Sequence, residues 1–238
     1  MAIDLTTGSV INGTIATVRE NGNIAVAYVS VMSFLGLLLE WGLPMAGLAY
    51  DTFDVPSWLV AYLGVSAGIG GLLFLILLVV ANYMLWEFML RQANLVREGG
   101  RRFFRYVGQA ILIAIFTAIG FVLIIVPGLI ISARLSAAPA FLIGEKRGAI
   151  ESIGESWEMV RGNTTPIVLA YLVGVLIFLV LAGLLAGFGF ASSGVVGPVM
   201  VFLQQIVSNL ATVFTVALGI FVYSQLSGAT AQVAEVFE

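Results

Sequence analysis

The sequence predicts an all-α polytopic membrane bundle, a single integral domain over residues 1–238 with six membrane-crossing helices. Three observations carry that prediction. Of the 238 residues, 61% are hydrophobic and only 10% are charged, whereas a typical soluble domain carries about a quarter charged residues. A soluble fold of this length has no interior large enough for so much apolar surface. Six apolar runs lie near the roughly 20 residues a bilayer-spanning helix requires. The bases are also segregated by connection. Arg91, Arg97, Arg101, Arg102 and Arg105 fall between two runs, and Lys146, Arg147 and Arg161 between two others. This is the loop asymmetry that orients helices with their basic ends in the cytoplasm.

Taken in order, residues 5–22 mix Val10, Ile11, Ile15 and Val18 with Thr, Asn, Arg19 and Glu20, an amphipathic pattern too polar to span and suited to the interface. The first span is expected over 24–41, broken by Gly42, Pro44 and Gly47, with Trp41, Tyr50 and Trp58 as an aromatic belt. The second, 59–86, is longer than a bilayer needs and must tilt or run on into water. The third covers 104–126 and the fourth 128–144. Pro127 and Gly128 between them predict a tight turn, proline fixing one φ and glycine admitting a positive one. A re-entrant loop at 128–144 would put the two basic connections on opposite faces, against the charge rule, so a hairpin is expected. Pro139 removes a backbone hydrogen bond from the returning helix and predicts a kink. An interfacial amphipathic helix follows, "GAIESIGESWEMVRGN", with Ile150, Ile153, Trp157 and Val160 on one face and Glu151, Glu155 and Glu158 on the other, before the fifth span at 166–188 and the sixth at 199–223. Both termini are then cytoplasmic. No cleavable leader is recognised ahead of the first span, so it is expected to be retained.

The chain holds no cysteine and no histidine. Thiolate nucleophiles, disulfides, imidazole catalysis and zinc sites built on those ligands are excluded, and no catalytic residue, metal or cofactor is expected. Within the spans the ionisable candidates are Glu40 and Arg134. A charge in the hydrocarbon costs about 2.5 to 3.5 kcal/mol at a helix centre, so the two either pair or snorkel, or Arg134 holds a lipid phosphate. Gln205, Ser208, Asn209, Thr212 and Thr215 share one face of the sixth span, a polar stripe that either bonds neighbouring helices or lines a hydrated cavity. Ala110, Ala114 and Ala118, with Gly64, Gly68, Gly183 and Gly187, form small-residue stripes that allow close helix packing, within the bundle or in a homo-oligomer. Arg101, Arg102 and Arg105 share a face with Glu151, Glu155 and Glu158, which predicts that the acidic helix docks on the basic connection.

The run 124–163 adds a resemblance. Pro127-Gly128, Arg134, Ala138-Pro139, Glu145, Ser156-Trp157 and Gly162-Asn163 resemble the pattern of the glycerophosphoryl diester phosphodiesterase membrane domain family and of YciC-like inner-membrane proteins. That resemblance implies a six-helix membrane module of a bacterial inner membrane. The soluble catalytic barrel that follows this module in the family's named enzymes is not in the chain, so no phosphodiesterase activity is carried over. The expected role is a non-enzymatic accessory or scaffold subunit, packing against itself or a membrane partner with the lipid bilayer and phospholipid around it and no nucleic acid. The alternative is a small lipid-handling or transport protein with a polar cavity at the sixth helix.

Overall fold

The computed structural model describes residues 5–52, 57–97, 99–100, 102–123, 125–190 and 196–236, with the side chains of 40–52, 57–67, 123, 125, 189–190, 196–198 and 228–236 outside the description. Nine helices occur among the described residues: α1 Thr7–Glu20, α2 Gly22–Thr52, α3 Ser57–Gln92, α4 Phe103–Leu123, α5 Ile125–Arg134, α6 Ala138–Gly144, α7 Ala149–Met159, α8 Thr164–Phe190 and α9 Val196–Val236. Six stretches are long and apolar enough to cross a membrane: Gly22–Leu39, Gly68–Gln92, Phe103–Val122, Val126–Gly144, Thr164–Phe188 and Val199–Ser227. The protein is an integral membrane helix bundle.

Several boundaries differ from the sequence expectation. α2 does not break at Gly42 and Pro44 but continues to Thr52, because a proline within a membrane helix loses one hydrogen bond and neighbouring groups absorb it. α3 has 36 residues and α9 has 41. At 1.5 Å per residue they measure about 54 and 62 Å, well beyond a hydrocarbon core of about 30 Å. The Pro127-Gly128 turn is a correction: both residues lie inside α5. Pro127 sits in the first helical turn, where its missing N–H costs nothing. Gly128 is not among the residues with positive φ. Its value is close approach. A Cβ placed on Gly120 of α4 would lie 2.9 Å from the Gly128 Cα, so the antiparallel pair closes backbone to backbone.

The fourth crossing is broken rather than kinked. α5 ends at Arg134, residues 135–137 turn, and α6 restarts with Pro139 in its first turn, a position that proline tolerates. All seven residues of α6 are buried. Polar backbone at such a break survives in a membrane only inside protein. The partners are visible: Ser156 Oγ of α7 donates to the Arg134 carbonyl at 2.7 Å, and Gln109 Nε2 of α4 donates to the Ala138 carbonyl at 2.8 Å. α9 presses on the break at Gly219, where a Cβ would overlap the Ser136 carbonyl and come within 2.6 Å of Trp86 Cη2.

The dense core lies at one end of the bundle, built from Met89, Leu90, Leu142, Ile143, Val213 and Leu218 among others. α1 is part of this end and does not lie free at the interface. Val10 and Thr14 are buried, Gly13 meets the Phe221 ring of α9, and the Leu5 N–H donates to Asn163 Oδ1 at 2.9 Å. The same end gathers the polar connections: Gln92 Nε2 donates to Glu20 O, Arg97 N to Gly144 O, and Arg102 Nη1 to Arg147 O. Leu72, Leu73 and Ile76 of α3 and Leu176, Ile177 and Leu179 of α8 are exposed, the surface that hydrocarbon requires.

Candidate functional site

Beyond the packed end, α3, α4, α5, α8 and α9 form a ring, each helix contacting the next, around a cavity whose floor is the α5–α6 break. Its volume is about 790 Å³, within the roughly 300 to 1,000 Å³ of ordinary ligand sites. α3 and α4 are the most weakly joined pair. They meet through Tyr106 OH donating to Asn82 Oδ1 at 2.9 Å and through edge contacts of Tyr83 with Phe103 and Tyr106.

The wall has two characters. Ala110, Ala114, Ala118 and Val175 are apolar, whereas Gln109, Ser136, Ser208, Thr212 and Thr215 are polar. Among the described lining residues, none is ionisable other than the tyrosines Tyr106 and Tyr171. The hydroxyl protons are largely spent locally. Ser132 donates to Gly128 O, Ser136 to Ala133 O, Thr212 to Ser208 O and Thr215 to Ala211 O, the back-bonding that helical Ser and Thr adopt. Ser132 is also hydrogen-bonded with Tyr171, and Thr212 with Tyr28.

Gln109 is completely buried. Its Nε2 donates both to Ala138 O and to Ser152 Oγ at 2.6 Å, and Ser152 Oγ donates onward to Ala149 O. A carbonyl only accepts, so the amide orientation is determined, and Gln109 Oε1 is left without a partner. An unsatisfied buried acceptor costs about 1 to 3 kcal/mol.

The predicted polar stripe divides between two neighbours. Ser208, Thr212 and Thr215 line the cavity. Asn209 Nδ2 instead donates to Ser33 Oγ of α2 at 3.0 Å, and Gln205 lies against Gly36 of α2, where a Cβ would come within 2.8 Å of its Oε1. The stripe is thus both interhelical bond and cavity wall. Ala110, Ala114 and Ala118 line the wall. Gly68, Gly183 and Gly187 have nothing within 4 Å of an added Cβ among the described residues, and Gly64 lies outside the described side chains. The close approaches belong to Gly13, Gly120, Gly128, Gly174 and Gly219.

The Glu40 side chain lies outside the description, and with it the Glu40–Arg134 pair. Arg134 has other company: its guanidinium stands 4.5 Å from the Trp157 ring centroid, and its Nε donates to Thr164 Oγ1 at 3.3 Å. Cation–π contact and a hydroxyl at a helix end are its described partners. Arg134 is not in the cavity wall.

The expected docking of the acidic helix is corrected in its partners. Glu151 and Glu155 pair with Arg147 at 2.9 and 3.2 Å, Glu145 with Arg147 at 3.4 Å, and Glu158 with Arg161 at 3.4 Å. Arg102 donates to the Arg147 carbonyl and its charge also favours the ionised Glu151, Arg105 is exposed on α4, and Arg101 lies outside the described residues. Proximity in sequence decides the pairing, since Arg147 is four residues before Glu151 and next to the helix start. The Gly148 N–H, with Arg147 adding, holds the Glu151 carboxyl below its usual range. Burial pushes Glu155 up, with Arg147 opposing. Burial pulls the Lys146 ammonium down, Glu87 opposing and Arg91 and Arg102 adding. The buried face of α7 is the predicted one in part: Val160 is fully buried and Ile153 and Trp157 are half-buried, but Ser152 and Ser156 are inside as well while Ile150 is 78% exposed.

Asn82, Tyr106, Gln109, Ser136 and Tyr171 were not foreseen as wall residues. A signal existed for two of them. Tyr106 and Gln109 stand at i, i+3 and continue into Ala110 and Ala114, so one face of α4 begins polar and ends small.

Fold and pocket together define a polytopic helical membrane protein with an open pocket between its helices, mostly apolar and with a polar side. No family model matches the chain, and no curated protein or solved structure matches it.

Proposed function

We propose that the chain is a non-enzymatic lipid-handling protein of a bacterial cytoplasmic membrane, taking one amphipathic molecule from the bilayer through the gap between α3 and α4. The observation that carries this reading is the cavity of about 790 Å³ lined by Ser208, Thr212 and Thr215. The pocket opens between the helices, and an open apolar and polar groove at the bilayer is filled by whatever molecule fits it. Polar residues facing an alanine-lined wall suit a molecule with a polar end and an apolar end.

Native mass spectrometry of protein extracted gently from its own membrane tests the reading. One retained lipid per chain is expected, displaced in Ala114→Trp, whose ring would fill the wall. A wild-type chain free of lipid, or unchanged retention in that variant, refutes it.

A second reading rests on a separate observation: Gly68, Gly183 and Gly187 leave bare backbone open on the bundle. Such surfaces suit contact with a second copy or a membrane partner, the role of an accessory or scaffold subunit. A stoichiometric protein complex in the same spectra, lost in Gly183→Leu, would favour it. The resemblance carried by residues 124–163 is compatible with either reading and adds no catalytic role. For orientation, we propose cytoplasmic termini. The chain has no native cysteine, so Arg105→Cys and Glu158→Cys give background-free labelling. Impermeant maleimide should reach them only in inverted vesicles, and labelling from the outside would reverse the assignment.

A further inference from the structure

We infer that Lys146, Arg97 and Arg102 form a phosphate site at the membrane face, outside the pocket and independent of the lipid-handling reading above. Two connections bring them together. The Arg97 N–H donates to Gly144 O at 2.8 Å and Arg102 Nη1 to Arg147 O at 3.2 Å, so the connection after α3 is bonded on both sides of Lys146. The Lys146 stem lies along that connection, its Cγ and Cε each 3.6 Å from a Cβ placed on Gly99. The cluster stands where three crossings end, at Gln92, Phe103 and Gly144, the layer in which lipid headgroups lie.

The backbone singles out the lysine. Lys146 follows the α6 cap Glu145 and has a φ of 60°, the left-handed position that glycine usually fills at a helix end. Asn94, the other non-glycine residue at positive φ among those described, tolerates that conformation, whereas a lysine holds it at a cost. No internal ion pair accounts for the choice. Among the described residues no carboxylate lies within pairing distance of Lys146, Arg97 or Arg102; Glu98 and Arg101 of the same connection lie outside the described residues. Glu87 acts on Lys146, but Arg91 binds it at 2.7 Å. Glu145, Glu151 and Glu155 pair with Arg147, and Arg102 acts on Glu151 from beyond pairing distance. Burial pulls the Lys146 ammonium down, with Glu87 opposing and Arg91 and Arg102 adding, a direction that an arriving anion reverses. A phosphate brings several acceptor oxygens to donors converging from two connections.

Native mass spectrometry of the full chain in an uncharged detergent tests this with dioctanoyl phosphatidylglycerol, with dioctanoylglycerol, which lacks the phosphate, and with inorganic phosphate as competitor. The phosphate-bearing lipid is expected to bind about tenfold or more tightly than dioctanoylglycerol. Lys146→Gln and Arg102→Gln should each weaken it roughly fivefold, the ratio for one cation at an anionic headgroup. Lys146→Gly suits the positive φ and so preserves the fold, and it should weaken binding equally. Arg161→Gln removes an exposed charge paired with Glu158, and Ala114→Trp fills the pocket; both should leave this binding unchanged. Displacement by inorganic phosphate assigns the site to a free phosphate and resistance to it assigns the site to a lipid headgroup, and either upholds it. Equal binding of the two lipids, or a loss in Arg161→Gln as large as in Lys146→Gln, overturns it in favour of diffuse attraction. A loss in Ala114→Trp with Lys146→Gln unchanged also overturns it and leaves the lipid-handling reading standing.

Discussion

Gly219→Ala should destabilise the protein although it adds a single methyl to a helix. α9 crosses the α5–α6 break at this residue, where a Cβ would overlap the Ser136 carbonyl and lie 2.6 Å from Trp86 Cη2. The tryptophan ring is 5% exposed and held by the core, and the carbonyl is backbone, so neither yields as a flexible side chain would. Overpacking of this kind costs about 1 to 3 kcal/mol, and a backbone obstacle argues for the upper part of that range. Against it stands the intrinsic helix gain of alanine over glycine, about 0.8 to 1.0 kcal/mol. The net expectation is a loss of about 1 to 2 kcal/mol. Gly183→Ala and Gly187→Ala receive the same propensity gain with nothing within 4 Å and should be neutral or slightly stabilised. Thermal unfolding in one detergent, followed by tryptophan emission and by the size-exclusion peak that survives heating, compares the three. A domain of this size shifts by about 2 to 4 °C per kcal/mol, so the variants should separate in opposite directions. If Gly219→Ala melts with the two controls, the close crossing of α9 over the break is wrong.

Two further outcomes are expected. Ser156→Ala leaves the Arg134 carbonyl without its 2.7 Å donor and should cost about 1 to 3 kcal/mol, read as a lower melting temperature and faster hydrogen exchange across 131–137; exchange unchanged there would remove Ser156 as the support of the break. Glu155→Gln tests the sign of a titration. Burial holds the Glu155 carboxyl above its usual range, so the folded chain binds that proton more tightly than the unfolded one. The stability this confers is full below the unfolded value of about 4.3 and is lost as pH rises through the folded value. Wild type should therefore gain on Glu155→Gln as pH falls from 7 toward about 4.3, and a difference independent of pH would contradict the burial.

What was legible in the sequence is what a single helix decides alone. Hydropathy over some twenty residues depends on no neighbour, because each apolar run lowers its free energy in lipid by itself. The six crossings, the charged connections and the all-α class follow from that. Even the polar stripe of α9 was visible, since i, i+3, i+4 spacing is a property of one helix.

What depends on two helices was not legible. Pro127-Gly128 reads equally as a turn or as the first turn of a helix, and only the approach of Gly120 across the hairpin favours the second. Small-residue motifs occur on the second, third and fifth spans, yet those at Gly183 and Gly187 face open space while Gly219 and Gly174 carry the contacts. Rotation of a helix about its axis decides which, and in lipid the hydrophobic effect does not distinguish the faces of a uniformly apolar helix. Gln109 is one polar residue among apolar ones until α6 and α7 take both of its amide protons. The sequence by itself determined that the chain crosses a membrane six times and which connections carry its charge. Only the tertiary structure decided that the fourth crossing breaks, and that five helices ring an open pocket. Those are outcomes of packing between surfaces remote in sequence, and no local free energy specifies them.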